Sequence, residues 1–438
     1  MFFSLPINQI KMNTSRLQSN HIIDWNMLIC SALLMLVLPP FIGVPLAVFH
    51  CYRKQFAQKK DYYVYFVCIS LYIASINATK LPNGDQLAYA SAFSNVPTEG
   101  FWGSLTNIYG KDAYYGKRSN ISGEFMNGVY NYVGYYITFG YYPLFICIYT
   151  FIEMMLVFMG FYHFCQKIKN NHIPLITGPI LLVFFYMYFN MMVQIQKQFM
   201  AQAIMMYVIG CYAQYGKMSR RLWIISAVSL FTHASMILFV FFLALKRLRS
   251  QLSLKSFLTI SVLFGTLIVW GPSLIGSSVQ DIDESTSAMS YGLKRVALSE
   301  KANDGLSIDF THPRTLVVLV PILWVMYKKL WKERNTLNVA EQFILNIVFL
   351  LTITTFVMFN QPLAQYRYFL MTYMFIPFFF IFISNQISLR NQILKLLAFL
   401  SMTTFYLFFE SIPWKYAPLS HIMIMPPGWL VFYNYYGL

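Results

Sequence analysis

The strongest constraint on the fold of this chain is a succession of apolar runs separated by short basic clusters. A run of about 20 apolar residues is enough for a helix to cross the hydrocarbon core of a bilayer, and Lys and Arg clustered between such runs mark cytoplasmic loops. Only 11% of the 438 residues are charged and 58% are hydrophobic, whereas a soluble chain carries about 25% charged residues. The pattern predicts an all-α polytopic membrane protein. Its formal net charge of +16 then reads as topology, and no nucleic-acid module accompanies it. The six cysteines lie in or beside apolar stretches without CxxC spacing, which supports neither a disulfide framework nor a zinc site.

Residues 1–24 form a polar N-terminal arm, 25–410 a multi-span domain, and 411–438 an aromatic tail suited to an outer interfacial belt. Met27–Phe49 make a first span with a kink expected at Pro39 and Pro40, and Arg53, Lys54, Lys59 and Lys60 place the next loop in the cytoplasm. Two long polar segments, near 80–140 and 271–314, lie on the outer side. Loops of that length tend to be functional. In the first, Glu124–Phe139 suits an amphipathic helix at the membrane surface. About ten spans are expected in all. The exception is Leu222–Leu245, which has basic residues on both flanks: Lys217, Arg220 and Arg221 before it, Lys246, Arg247 and Arg249 after it. Two half-helices meeting near Thr232 and His233, a re-entrant pair, reconcile those flanks with the later basic clusters.

Lys197 and His233 interrupt apolar runs, and a charge in hydrocarbon must face a partner, a water-filled cavity or a substrate. At helical spacing Gln194, Lys197, Gln198 and Gln202 share one face, as do Ser226, Ser229 and His233. Bland readings stand beside these. Lys197 lies near a helix start and could snorkel outward, Arg367 could anchor to headgroups, and Glu153 could be a packing partner. His163, at a cytoplasmic helix end, fits the C-terminal dipole. Lys197, His233 and Arg367 all fall in the outer half of the bilayer, where a positive-inside bias does not explain them. A pocket lined by Lys, Arg and His suits phosphate or pyrophosphate. HExxH, Walker, dinucleotide-binding and nucleophile-elbow motifs do not occur.

Five segments together resemble the EpsG-type branch of the Wzy-like polysaccharide polymerases. They are Asp85 with Tyr89, the Glu124 stretch, QIQKQFMAQA from Gln194 to Ala203, LFTHAS from Leu230 to Ser235, and YRYF from Tyr366 to Phe369. Members usually have Arg at the position of Lys197; here the charge is kept and the guanidinium fork is lost. The resemblance implies a GT-C-like glycosyltransferase joining undecaprenyl-pyrophosphate-linked oligosaccharide repeat units into exopolysaccharide or O-antigen. It implies an active site on the outer face of the bacterial cytoplasmic membrane, with no metal or other cofactor. A chain-length regulator is an expected partner beside the lipid-linked sugar and the membrane lipid. Lys197, Arg367, Gln194 and Gln198 would hold the pyrophosphate, and Tyr89 and Tyr366 the sugar. His233, Asp85 and Glu124 compete for the catalytic base. An O-antigen-type ligase is a rival enzyme. A lipid-linked oligosaccharide flippase is the non-enzyme rival, disfavoured because the chain has no paired halves.

Overall fold

A computed structural model describes residues 37–433 apart from 54–58, 84, 107–122, 186–188, 190–194, 254, 261, 264–265, 267–312, 359–361 and 413. Regular structure among the described residues is entirely helical. In chain order the helices used below are α1 (Pro40–Arg53), α2 (Lys59–Ala78), α3 (Asp85–Ser94), α4 (Val96–Thr106), α5 (Met126–Ile137), α6 (Tyr142–Cys165), α7 (His172–Phe184), α8 (Gln196–Tyr215), α9 (Arg220–Thr232) and α10 (Ile237–Ala244). They continue with α11 (Pro313–Met326), α12 (Val339–Val357), α13 (Pro362–Tyr373), α14 (Ile376–Ile381), α15 (Ile387–Leu407), α16 (Leu419–Ile424) and α17 (Pro427–Phe432).

α6 and α12 are each long and apolar enough to cross a membrane. α6 packs against both α2 and α8. The crossing with α8 is a backbone-to-backbone contact made possible by two glycines: a Cβ on Gly160 would stand 2.4 Å from the carbonyl oxygen of Met206, and one on Gly210 would stand 2.0 Å from that of Gly160. Small residues let helices approach this closely where lipid offers no hydrophobic drive to pack them. α7 uses Gly178 in the same way to seat the Phe161 ring of α6.

The basic clusters gather at one end of the bundle. Arg249 donates to the carbonyl of Tyr212 at the end of α8, and Asn346 of α12 donates to the Leu248 carbonyl over 2.7 Å. Asn338, which caps α12 in a capping box with Glu341, donates to Lys167 O, and Arg390 to Asn170 O. Lys329 bonds Glu333 and Asn385, and Gln251 donates to Arg334 O. At the opposite end the aromatic tail closes over α2 and α6: Leu81 N donates to Lys415 O, Tyr141 Oη to Val431 O, and Lys80 lies over the Trp414 ring.

The segment after α2 is more structured than a loop. It holds α3, α4 and α5, the last over Met126–Ile137, inside the stretch expected to be amphipathic. Gly128 of α5 lies so close to Ser104 of α4 that a Cβ would meet the Ser104 carbonyl oxygen at 2.1 Å. α8 ends at Gly216, left-handed at φ +77°, and Ser219 then caps α9, its Oγ accepting from Leu222 N. α9 stops at Thr232. His233 is extended (φ −153°, ψ 123°), and a 3-10 turn at Ala234–Met236 leads into α10. The break thus falls at the histidine, and both flanks of the broken segment reach the basic end. The large segment 271–314, the arm 1–24 and the last tail residues fall outside the described residues or nearly so.

Replacing Gly210 by Leu is expected to force α6 and α8 apart at a cost of at least about 1–3 kcal/mol. Thermal unfolding in detergent should show the loss, while Tyr215→Leu, at an exposed position of the same helix, serves as a comparison. A Gly210→Leu protein as stable as the parent would refute the close crossing.

Candidate functional site

The break at His233 leaves backbone groups that no helix satisfies, and the buried carboxylate of Glu124 meets them. Its Oε1 accepts from Ala234 N at 3.0 Å and its Oε2 from Lys197 Nζ at 2.9 Å. His233 Nε2 stands 3.9 Å from Oε1. Glu124, Lys197 and His233 are 2%, 5% and 7% exposed, so the pair is desolvated and its attraction little screened. One carboxylate therefore joins three segments: the approach to α5, the start of α8 and the gap between α9 and α10.

The surrounding side chains complete the gap. Asn127 Nδ2 donates to the Thr232 carbonyl at 2.8 Å and to Glu124 O at 3.1 Å, and Tyr130 Oη and Thr232 Oγ1 are 2.9 Å apart. Ser229 Oγ donates to Ala201 O at 2.7 Å, pinning α9 to α8 one turn beyond Lys197. His233 Nδ1 accepts from Ser235 N at 3.3 Å and pairs with Ser235 Oγ at 2.7 Å. An Nδ1 that accepts leaves the proton of the neutral ring on Nε2, the nitrogen that faces Glu124.

Burial alone would push the Glu124 carboxyl up. The Lys197 ammonium, the His233 ring and the bonds from Lys197 and Ala234 N outweigh it and hold the group below the usual carboxylate range. Glu124 is therefore ionised at neutral pH. The charges of Glu124 and Lys197 offset one another.

Other expected site residues approach this centre to different degrees. The Tyr89 ring lies 5.4 Å from Lys197 Nζ, centroid to nitrogen. Asp85 stands one turn earlier on the same face of α3, exposed, and makes no hydrogen bond or ion pair among the described residues. Gln198 Nε2 donates to the Arg367 carbonyl at 3.2 Å, which fastens α13 to α8 beside Lys197. The Arg367 guanidinium is half-buried and makes no hydrogen bond or ion pair among the described residues, and Tyr366 beside it is half-buried too. Gln194 lies outside the described residues. His163 bonds Gln214 in the last turn of α6, away from this centre, as its helix-end reading implies. Glu153 is buried on α6 and makes no ion pair among the described residues.

Asn127 and Tyr130 were not singled out by sequence. The available signal was their spacing from Glu124 in EFMNGVY, which sets polar groups along one side of α5.

Glu124→Gln should strand a buried ammonium and cost about 3–5 kcal/mol. Glu124→Gln with Lys197→Met should cost less than the sum of the singles, and unfolding of all four proteins measures the coupling. Because folding lowers the carboxyl's proton affinity, its contribution is full above about pH 4.3, the ordinary Glu value. It is lost as pH falls through the folded value. Stability of Glu124→Gln should lack that acid-side dependence, and additive singles would contradict the pairing.

The family model of EpsG matches residues 62–420. No curated protein and no solved structure matches the chain. The matched span runs from the first turn of α2 to α16 and contains every element that meets at Glu124. The chain belongs to the EpsG family, and with it to the helical membrane proteins of polysaccharide biosynthesis that have an exopolysaccharide-polymerase-like role.

Proposed function

We propose that the protein is a repeat-unit polymerase, transferring an oligosaccharide from its undecaprenyl pyrophosphate carrier to a hydroxyl of a second lipid-linked unit. The observation that carries this reading is the meeting of Glu124, Lys197 and His233 at a helix break, with Arg367 fastened through its carbonyl to Gln198. Buried charge at a broken helix is expensive in a bilayer, and such centres serve substrates or ions. Lys197 and Tyr215 are 18 residues apart on α8, so the basic end lies about 27 Å away. That end faces the cytoplasm by the positive-inside rule, and the centre faces the exterior. A GT-C-like arrangement of about ten spans with a re-entrant pair at His233 accommodates this.

In the transfer, the acceptor oxygen bonds to the anomeric carbon as that carbon's bond to the pyrophosphate oxygen breaks. The hydroxyl proton passes to a base, and the pyrophosphate departs on its lipid with one more negative charge. Such a leaving group calls for charge neutralisation more than for protonation. The Arg367 guanidinium has the bidentate geometry for it. Lys197, with Gln198 and Gln194 on its face, completes the cradle, although its charge is largely offset by Glu124. Glu124 already accepts two hydrogen bonds and acts by positioning Lys197 and the break. The His233 ring, with Nε2 toward Glu124, orients the site. Asp85 is then the base, an exposed carboxylate one turn from Tyr89. Tyr89 and Tyr366 supply aromatic faces and hydroxyls for sugar rings.

Asp85→Asn is expected to slow chain growth by about 10²-fold or more, and Arg367→Ala to abolish polymer with the protein at normal level in the membrane. Single repeat units should accumulate on the carrier, read by gel electrophoresis of lipid-linked glycans. Normal chain length in either variant removes that residue from the site. If deletion of the gene left full-length polymer that was merely unattached, a ligase would replace the polymerase.

A further inference from the structure

Between α8 and α9, at their basic ends, lies a cavity of 460 Å³. Tyr207, Cys211, Leu222 and Ile225 form its apolar wall, and Ser219 and Arg221 stand at its mouth. Tyr207 to Tyr215 is eight residues of helix, so the cavity runs about 12 Å along α8, close to the roughly 15 Å thickness of one hydrocarbon leaflet. It is remote from the Glu124 centre, which sits at the other end of the same helix.

Three of the bases at this end are engaged by named partners. Arg249 is committed to the Tyr212 carbonyl and ring, Arg390 to the carbonyls after α6, and Lys329 to Glu333 and Asn385. Each of those bases closes a helix end or a turn. Arg221 is exposed and makes no hydrogen bond or ion pair among the described residues. Lys217 and Arg220 lie within four residues of it, and no Asp or Glu occurs between Glu153 and Asp281. An apolar slot one leaflet deep, with an uncompensated guanidinium at its aqueous end, matches one class of molecule. We propose that this cavity binds an anionic phospholipid of the cytoplasmic leaflet. The phosphate bonds to Arg221, with Ser219 beside it, and an acyl chain lies along Tyr207, Leu222 and Ile225.

The charge argues for an anionic lipid over a zwitterionic one. The Lys217–Arg221 cluster attracts a headgroup with net negative charge, and it repels the ammonium of phosphatidylcholine as it attracts its phosphate. Basic pockets between membrane helices on the cytoplasmic side bind anionic headgroups for this reason. The apolar wall argues for a lipid over a free phosphate, because an ion alone leaves most of the cavity unfilled.

The test is native mass spectrometry of the full-length protein released from vesicles of equal phosphatidylglycerol and phosphatidylcholine. The parent should retain phosphatidylglycerol in preference. Arg221→Gln, a change at an exposed position, should lower that retention about fivefold, the effect of one basic residue near a charged surface. It should leave phosphatidylcholine retention unchanged. Ile225→Trp, which fills the wall, should lower retention of phosphatidylglycerol while the Arg221 charge remains. Excess inorganic phosphate should not displace the lipid. Three results would overturn the proposal: retention unchanged in Arg221→Gln, an equal loss in Arg220→Gln outside the cavity, or displacement by phosphate alone. The second would mean a diffuse surface field, and the third an ion site without a lipid.

Discussion

The arrangement depends on one buried carboxylate. Glu124 accepts from Lys197 and from the backbone of Ala234, and it lies beside the His233 ring. Without it, an ammonium and an open helix end would both be left in a low-dielectric interior, at about 3–5 kcal/mol for the charge and about 1–3 kcal/mol for the backbone N–H. With it, α8, α9, α10 and the approach to α5 are fixed relative to one another. Asn127 and Ser229 tighten the same junction through the carbonyls of Thr232 and Ala201. Such a pair contributes geometric definition more than net stability, since its desolvation offsets much of its attraction.

The pairing also sets Lys197 apart from Arg367. A carboxylate-bound Lys197 presents little net charge to its surroundings. Arg367 is brought alongside by its backbone and keeps its guanidinium uncommitted among the described residues. An ammonium suits a point contact with one carboxylate oxygen. At the other end of the bundle Arg249 and Arg390 are tied to carbonyls and Lys329 to Glu333, while Arg221 lines a cavity.

Much of this was legible in the sequence, for physical reasons that also explain the remainder. The break at His233 followed from basic flanks on both sides of one apolar run, and α6 and α8 appear nearly at the bounds their apolar runs imply. Lys197 had two readings, snorkelling and buried; at 5% exposure it is buried. Its partner was not legible, because Glu124 is 73 residues away and no periodicity reports a contact between distant segments. The segment after α2 looked like a loop because its tyrosines, asparagines and glycines are poor in apolar periodicity. It folds as three helices whose close contacts need the glycines, as at Gly128 against Ser104. Asp85 and Tyr366 were grouped with the site by resemblance to the family, and neither side chain bonds to the Glu124 centre. Gln194 and the segment 271–314 lie wholly or almost wholly outside the described residues.

The most direct measurement of the central pairing is a dipolar distance in lipid bilayers between ¹⁵Nζ of lysine and the side-chain ¹³C carboxyl of glutamate. The Lys328 and Lys329 contacts with Glu333 give a second signal of the same kind, so assignment rests on variants. The expected result is a short-range coupling, consistent with a 2.9 Å nitrogen-to-oxygen contact, that disappears in both Lys197→Met and Glu124→Gln while the Glu333 signal persists. Couplings left unchanged by both substitutions would mean that Lys197 and Glu124 are apart in the membrane, and the junction described above would not exist.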